Sequence, residues 1–194
     1  MKKTCWLLFF VFLLSTAVKA QDYKFARIDK SPADIVYYPL NIVKEKDLSK
    51  KPLIKIIYSR PAKNGRPIFG VLEQFGNVWR TGANETTEIR FYEDVKVGNQ
   101  KVKAGTYSIF TIPEKDKWTF ILNKQTDKWG SYTYDQSKDV LRLDVPVKKS
   151  EEVIEHFSIT FKDLPQGAAI VMGWDNTVVE VPVHLKEMKL TATK

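Results

Sequence analysis

Cysteine is almost absent: among 194 residues only Cys5 carries a thiol, and it lies ahead of an apolar run near the N-terminus. Beyond that run, disulfide staples, thiolate nucleophiles and cysteine metal sites are excluded, so apolar burial must supply the stability. Histidine is nearly as scarce. His156 and His184 are far apart and lack ligand spacing, so no metal motif forms around them. A hydrolase triad would have to use one of the two, and neither sits in a motif. Also missing are a Gly-rich phosphate loop, a Gly-x-Ser-x-Gly elbow and an Asp/Asn-rich calcium loop. The sequence therefore calls for no cofactor and no metal. Long helical periodicity is lacking too, which disfavours alternating strand–helix folds with a parallel sheet.

What is present begins with a leader pattern. Lys2 and Lys3 precede an unbroken apolar run of nine residues, Trp6 to Leu14, and a small, polar stretch from Ser15 to Ala20. A run of that length matches the core of a signal peptide and is too short to cross a bilayer. Val18 and Ala20 fit the −3 and −1 positions of a cleavage site. A lipoprotein cysteine would follow the run, whereas Cys5 precedes it. Residues 1–20 are thus expected to be a removable leader, with no membrane span remaining. No outer-surface sorting segment marks Thr191 to Lys194, so the periplasm is the expected compartment, with the extracellular space as the alternative.

Removing Lys2, Lys3 and Lys19 from the 31 basic residues leaves 28 against 23 acidic ones, a net charge of +5 in place of +8. The lysines are scattered and no basic stripe interleaves with stacking aromatics, which argues against nucleic acid as a partner. A hydrophobic share of 43% and a charged share of 28% are those of a globular chain. The length suits one domain with a sizeable core.

Period-two alternation dominates from residue 52 onward. Leu53 to Tyr58 is apolar and β-branched. Thr87 to Tyr92 sets Ile89 and Phe91 against Glu88 and Arg90. Gly98-Asn99-Gln100 separates Val95–Val97 from Lys101–Lys103, a hairpin signal. Residues 113–117 join Thr106–Ile112 to Trp118–Asn123. Further strands are expected over 141–147, 157–161, 168–174 and 177–185, the last two turned at Asp175-Asn176. Eight or nine strands with short turns predict an all-β, single-domain antiparallel β-sandwich, jelly-roll-like or immunoglobulin-like. The expected organisation is the leader at 1–20, an irregular arm with at most one short strand at 21–51, the sandwich at 52–186 and a tail at 187–194. Two segments, Ile68 to Val78 and Gln125 to Ser137, break the alternation and predict a short helix or a long loop. Long loops on a rigid sandwich are where function concentrates.

The motifs gather around those loops. They run Tyr58-Ser59-Arg60-Pro61, Asn64-Gly65-Arg66, Ile68-Phe69-Gly70 and Val78-Trp79-Arg80-Thr81-Gly82-Ala83-Asn84-Glu85, followed by Ala104-Gly105-Thr106-Tyr107-Ser108-Ile109-Phe110-Thr111-Ile112-Pro113 and Trp129-Gly130-Ser131-Tyr132. In this combination the chain resembles the bacterial exported family catalogued as domain of unknown function 2911, over about Ser31 to Val183. Pro67 is a departure, where a lysine is expected. The resemblance implies export and a compact β fold, and no activity.

Several residues carry chemistry that could form a site. Arg80 can grip a carboxylate or phosphate bidentately, Asn84 can donate and accept, and Glu85 can take a proton or a sugar hydroxyl. The same residues would serve as scaffold if Arg80 paired with Glu85 and Asn84 capped a turn. Arg60 and Arg66, on a second loop, favour an anionic ligand if they converge with Arg80. Taken singly they read as surface or scaffold arginines. Trp79 opens the string as a candidate contact. Trp129 and Tyr132, with Tyr134, Asp127 and Asp135 nearby, suit an aromatic platform for sugar rings, or else a cover over the edge of the core. Paired-carboxylate glycosidase chemistry needs two acids roughly 5–10 Å apart, and Glu85 with Asp135 is the pair to test.

Three functions follow as expectations. The first is a binding module for a glycan or small polar or anionic ligand. The second is a carboxylate-based hydrolase of envelope polysaccharide. The third is a structural or protein-interaction domain. No sequence pattern sets an oligomeric state.

Overall fold

Alternating burial turns the period-two segments into nine strands. They are β1 (Ala33–Tyr38), β2 (Ile54–Ser59), β3 (Glu88–Phe91), β4 (Val95–Val97), β5 (Gln100–Val102), β6 (Gly105–Pro113), β7 (Lys117–Asn123), β8 (Asp139–Leu164) and β9 (Gly167–His184). The structure is a computed structural model that describes residues 23–47 and 49–185. The leader expected at 1–20 and the tail expected at 187–194 lie outside the described residues. Every strand pair is antiparallel, in the lateral order β1-β2-β3-β6-β7-β8-β9-β4-β5. Helix among the described residues is limited to single 3-10 turns at Ile42–Lys44 and Gln136–Lys138. The chain is all-β, as the alternation predicts.

β8 explains how one hydrogen-bonded ribbon makes two layers. Its first part pairs with β7 as far as Pro146, and its second part pairs with β9 from Val147 onward. The strand therefore leaves the layer of β1, β2, β3, β6 and β7 and continues into a second layer with β9 and β4. The two layers face each other across an aromatic seam. The Ile159 backbone N–H donates to Tyr58 Oη at 3.1 Å. The Tyr58 and Phe157 rings meet edge-on at 5.8 Å, and Tyr38 lies 5.5 Å from Phe161. Ile54, Ile56, Ile89, Ile109, Trp118 and Phe120 are fully buried in this core.

Two strand boundaries differ from the sequence reading. Segments 141–147 and 157–161 are parts of the single strand β8. Likewise Asp175-Asn176 does not reverse the chain but sits inside β9. Asp175 takes φ of 54°, and the β8 register opposite it shifts on either side of Ile154. This is a bulge, which bends a strand without ending it. The buried residues Trp174 and Val179 on its two sides hold the chain extended, and Lys63 Nζ anchors the Asp175 carboxylate at 3.1 Å.

The arm at 21–51 contributes the edge strand β1, paired with β2 over its full length. Tyr38 at its end is buried, and its hydroxyl donates to Asp163 and to the Gly167 carbonyl. Irregular chain is confined to what precedes and follows β1. At the β8–β9 turn, Gly167 has φ of 142° and a Cβ there would fall 2.2 Å from the Val183 carbonyl oxygen. Only glycine fits that approach.

Candidate functional site

Sheet register brings the two irregular loops together. Glu88 at the start of β3 is level with Ser108, and Ser108 with Asn123 at the end of β7. The β2–β3 loop and the β7–β8 loop therefore emerge side by side from one end of the sandwich. They are then laced to each other. Thr86 N–H donates to the Lys128 carbonyl at 2.9 Å, and Gly130 N–H to the Asn84 carbonyl at 3.0 Å. Thr86 Oγ1 donates to the Gly130 carbonyl at 2.6 Å, and Asp127 N–H to Glu88 Oε1 at 2.7 Å. Glu85 and Trp129 form an antiparallel bridge.

Beneath this seam the threonines of the motif are buried. Thr81 and Thr111 share a hydroxyl–hydroxyl hydrogen bond at 3.1 Å, and Thr87 donates to the Thr81 carbonyl. Glycine is favoured at Gly82, where φ is 155° and a Cβ would lie 3.0 Å from the Ser59 carbonyl oxygen. Asn84, with φ of 58°, reaches the N-terminal arm, its Nδ2 donating to Asp29 at 3.0 Å.

Above the seam two rings face outward. Trp129 is 61% exposed and Tyr132 is 83% exposed. The Tyr132 ring lies over Gly130, where a Cβ would come within 2.7 Å of it. Glu85 is exposed beside them. An adjoining cavity of about 260 Å³ is lined by Ile57, Tyr58, Glu85, Glu88, Asp127 and Lys128. The structure thus brings Asn84, Glu85, Trp129 and Tyr132 to one surface.

The remaining expected site residues go elsewhere. Trp79 is a correction: it is 3% exposed, donates its Nε1–H to the Gly82 carbonyl at 3.1 Å and stacks on Trp174 at 5.9 Å. Trp118, Phe157 and Phe69 complete a buried aromatic cluster around it, so it packs in the core and is not presented on the surface. Arg60 joins the two layers, with Nη1 at 3.0 Å from Asp34, Nη2 donating to Ser158 and Nε donating to the Phe157 carbonyl. Arg66 folds back on its own turn, donating to the Lys63 and Ala62 carbonyls. Asp135 caps the short 3-10 turn, where the Ser137 hydroxyl and N–H hold its carboxyl below the usual range. Tyr134 leans on Phe110 and donates to Asp139 at 2.6 Å, and burial together with Asp139 pushes its hydroxyl up to about 12.

One ionisable group escaped the sequence reading. Glu73 sits in the tight turn after Ile68, its N–H donating to the Ile68 carbonyl at 3.0 Å and its own carbonyl accepting from Gly70 at 2.8 Å. Burial pushes its carboxyl up to about 7, against the pull of Arg80 and then Arg66. Arg80 Nε is sealed from solvent with no hydrogen-bond partner among the described residues. Arg66 and Arg80 thus both act electrostatically on the Glu73 carboxyl, and neither forms an ion pair among the described residues. The Ile68–Val78 break in alternation marked the segment, but no motif singled out Glu73. Among the described residues, no three His, Cys, Asp or Glu side chains gather as a metal site would require.

No curated protein and no solved structure matches the chain. A family model described as "Protein of unknown function (DUF2911)" matches residues 39–183, a span that includes both laced loops, strands β2 to β8 and all but the last residue of β9, and the chain belongs to that family.

Proposed function

We propose that this protein binds a glycan on the surface formed by Trp129, Tyr132 and Glu85. The observation that carries the reading is the pairing of exposure with rigidity. Two large rings stand open to solvent on a backbone fixed by four cross-loop hydrogen bonds. Such rings offer apolar faces to sugar rings without losing much conformational freedom on binding. Glu85 supplies acceptor oxygens for hydroxyls. Through the leader pattern at 1–20, the proposal places this binding in the periplasm or beyond.

The geometry gives less support to a hydrolase built on Glu85 and Asp135. A general acid at neutral pH needs a raised carboxyl, whereas the cap interactions lower that of Asp135.

The test is a screen of envelope oligosaccharides against wild type and Trp129→Ala. The expected result is a glycan bound by wild type and weakened roughly tenfold in the variant, about 1.4 kcal/mol, with an unchanged melting temperature. Equal affinity in the variant, or a matching loss of stability, overturns the reading.

A further inference from the structure

A second feature lies outside both laced loops, at the β4–β5 hairpin. Val95, Val97 and Val102 are buried, so alternation turns Lys96 and Lys101 outward. Register then sets Lys96 directly opposite Lys101 on β5 and directly opposite His184 on β9. Two ammonium groups and an imidazole form one row across three adjacent strands. Like charges directly opposite each other destabilise a sheet, so packing alone gives no reason for the row.

One acid, Asp94, stands at the start of this hairpin and lines the same cavity. Asp94 is engaged by Lys103 Nζ at 2.9 Å and by the Ala104 N–H at 2.9 Å. Lys96 and Lys101 enter no ion pair among the described residues. The row borders a cavity of about 700 Å³, lined also by Asn99, Gln166 and Val102 and, at one side, by the Asp94–Lys103 pair. His184 Nδ1 is sealed without a partner among the described residues.

We propose that this cavity is an oxyanion site that takes a phosphate-bearing small molecule, with the phosphate on Lys96, Lys101 and His184. A dianionic phosphate monoester offers three acceptor oxygens, which charge-assisted donors hold more strongly than neutral ones do. The volume falls within the range of about 300–1,000 Å³ usual for small-molecule sites. A bare phosphate would fill only a corner of it, so the body of the ligand is expected to contact Asn99 and Gln166. The site is separate from the aromatic surface, and its success or failure leaves the glycan reading untouched.

The experiment is calorimetric titration of the full chain with glucose 6-phosphate, inorganic phosphate and glucose, at ionic strength matched with sodium chloride. Both phosphates are expected to bind and glucose is not. Tighter binding of the ester assigns an organic phosphate, and equal binding assigns the free ion. The double variant Lys96→Gln/Lys101→Gln should raise the Kd at least tenfold. Its ligand-free melting temperature should be equal or higher, because a repulsive pair has gone. The proposal is overturned if neither phosphate binds, if glucose binds as well as its phosphate, or if the double variant binds as wild type does.

Discussion

Replacing Glu73 with glutamine should change how stability depends on pH. The ordinary value for a glutamate is 4.5, and burial raises Glu73 to about 7. The folded protein thus holds this proton more tightly than the unfolded chain does. Linkage then fixes the sign. Below pH 4.5 both states are protonated and Glu73 costs nothing. As pH rises from 4.5 to about 7 the unfolded chain releases the proton first, so stability falls, and the loss is complete just above pH 7. At about 1.4 kcal/mol per pH unit the interval corresponds to roughly 3 kcal/mol. Screening at a site that solvent partly reaches trims this to about 2 kcal/mol. Glutamine keeps the shape and cannot ionise. Urea unfolding of wild type and Glu73→Gln at pH 5 and pH 8 isolates the effect, since every other titrating group is common to both proteins. The variant's stability relative to wild type should be higher at pH 8 than at pH 5 by about 2 kcal/mol, or roughly 4–8 °C in Tm. The same difference at both pH values would refute the buried carboxyl. A difference of opposite sign would mean that Arg80 and Arg66 outweigh burial.

Two further outcomes test the scaffold. Trp79→Ala should cost about 3–5 kcal/mol by emptying the centre of the aromatic cluster, read as a lower urea midpoint; a loss of ligand affinity at unchanged stability would restore Trp79 to the binding surface. Gly167→Ala should cost about 1–3 kcal/mol through its left-handed backbone and the clash with Val183, and an unchanged midpoint would mean that the β8–β9 turn is built differently.

The fold was legible wherever one face of a strand is buried. Ile89 and Phe91 alternate with Glu88 and Arg90 because a single core face sets the period. β8 and β9 were read as shorter pieces because their lengths are decided non-locally. Exposed Lys148, Lys149, Glu151 and Glu152 interrupt the alternation in β8, yet β7 and then β9 supply hydrogen-bonding partners throughout most of its course. Asp175-Asn176 carries turn chemistry, and its left-handed residue was used for a bulge.

The candidate site was legible only as a pair of loops, and the side chains within them were sorted by contacts far away in sequence. Nothing in Val78-Trp79-Arg80 tells that Trp79 will lie between Trp118, Phe157 and Trp174. Once it does, the rest of the string is constrained. The buried indole needs an acceptor and finds it in the Gly82 carbonyl. Gly82 then passes close to Ser59 with a backbone that favours glycine, and Thr81 and Thr87 sink into the same layer. The chain surfaces again only at Asn84 and Glu85, where the second loop meets it. A motif that reads as one dense cluster of functional groups is therefore two things in sequence order: an anchor from Trp79 to Ala83, and a presented edge from Asn84 onward. The anchor makes the edge rigid enough to hold Trp129 open to solvent, so the specificity of the string and the proposed binding surface have a common cause.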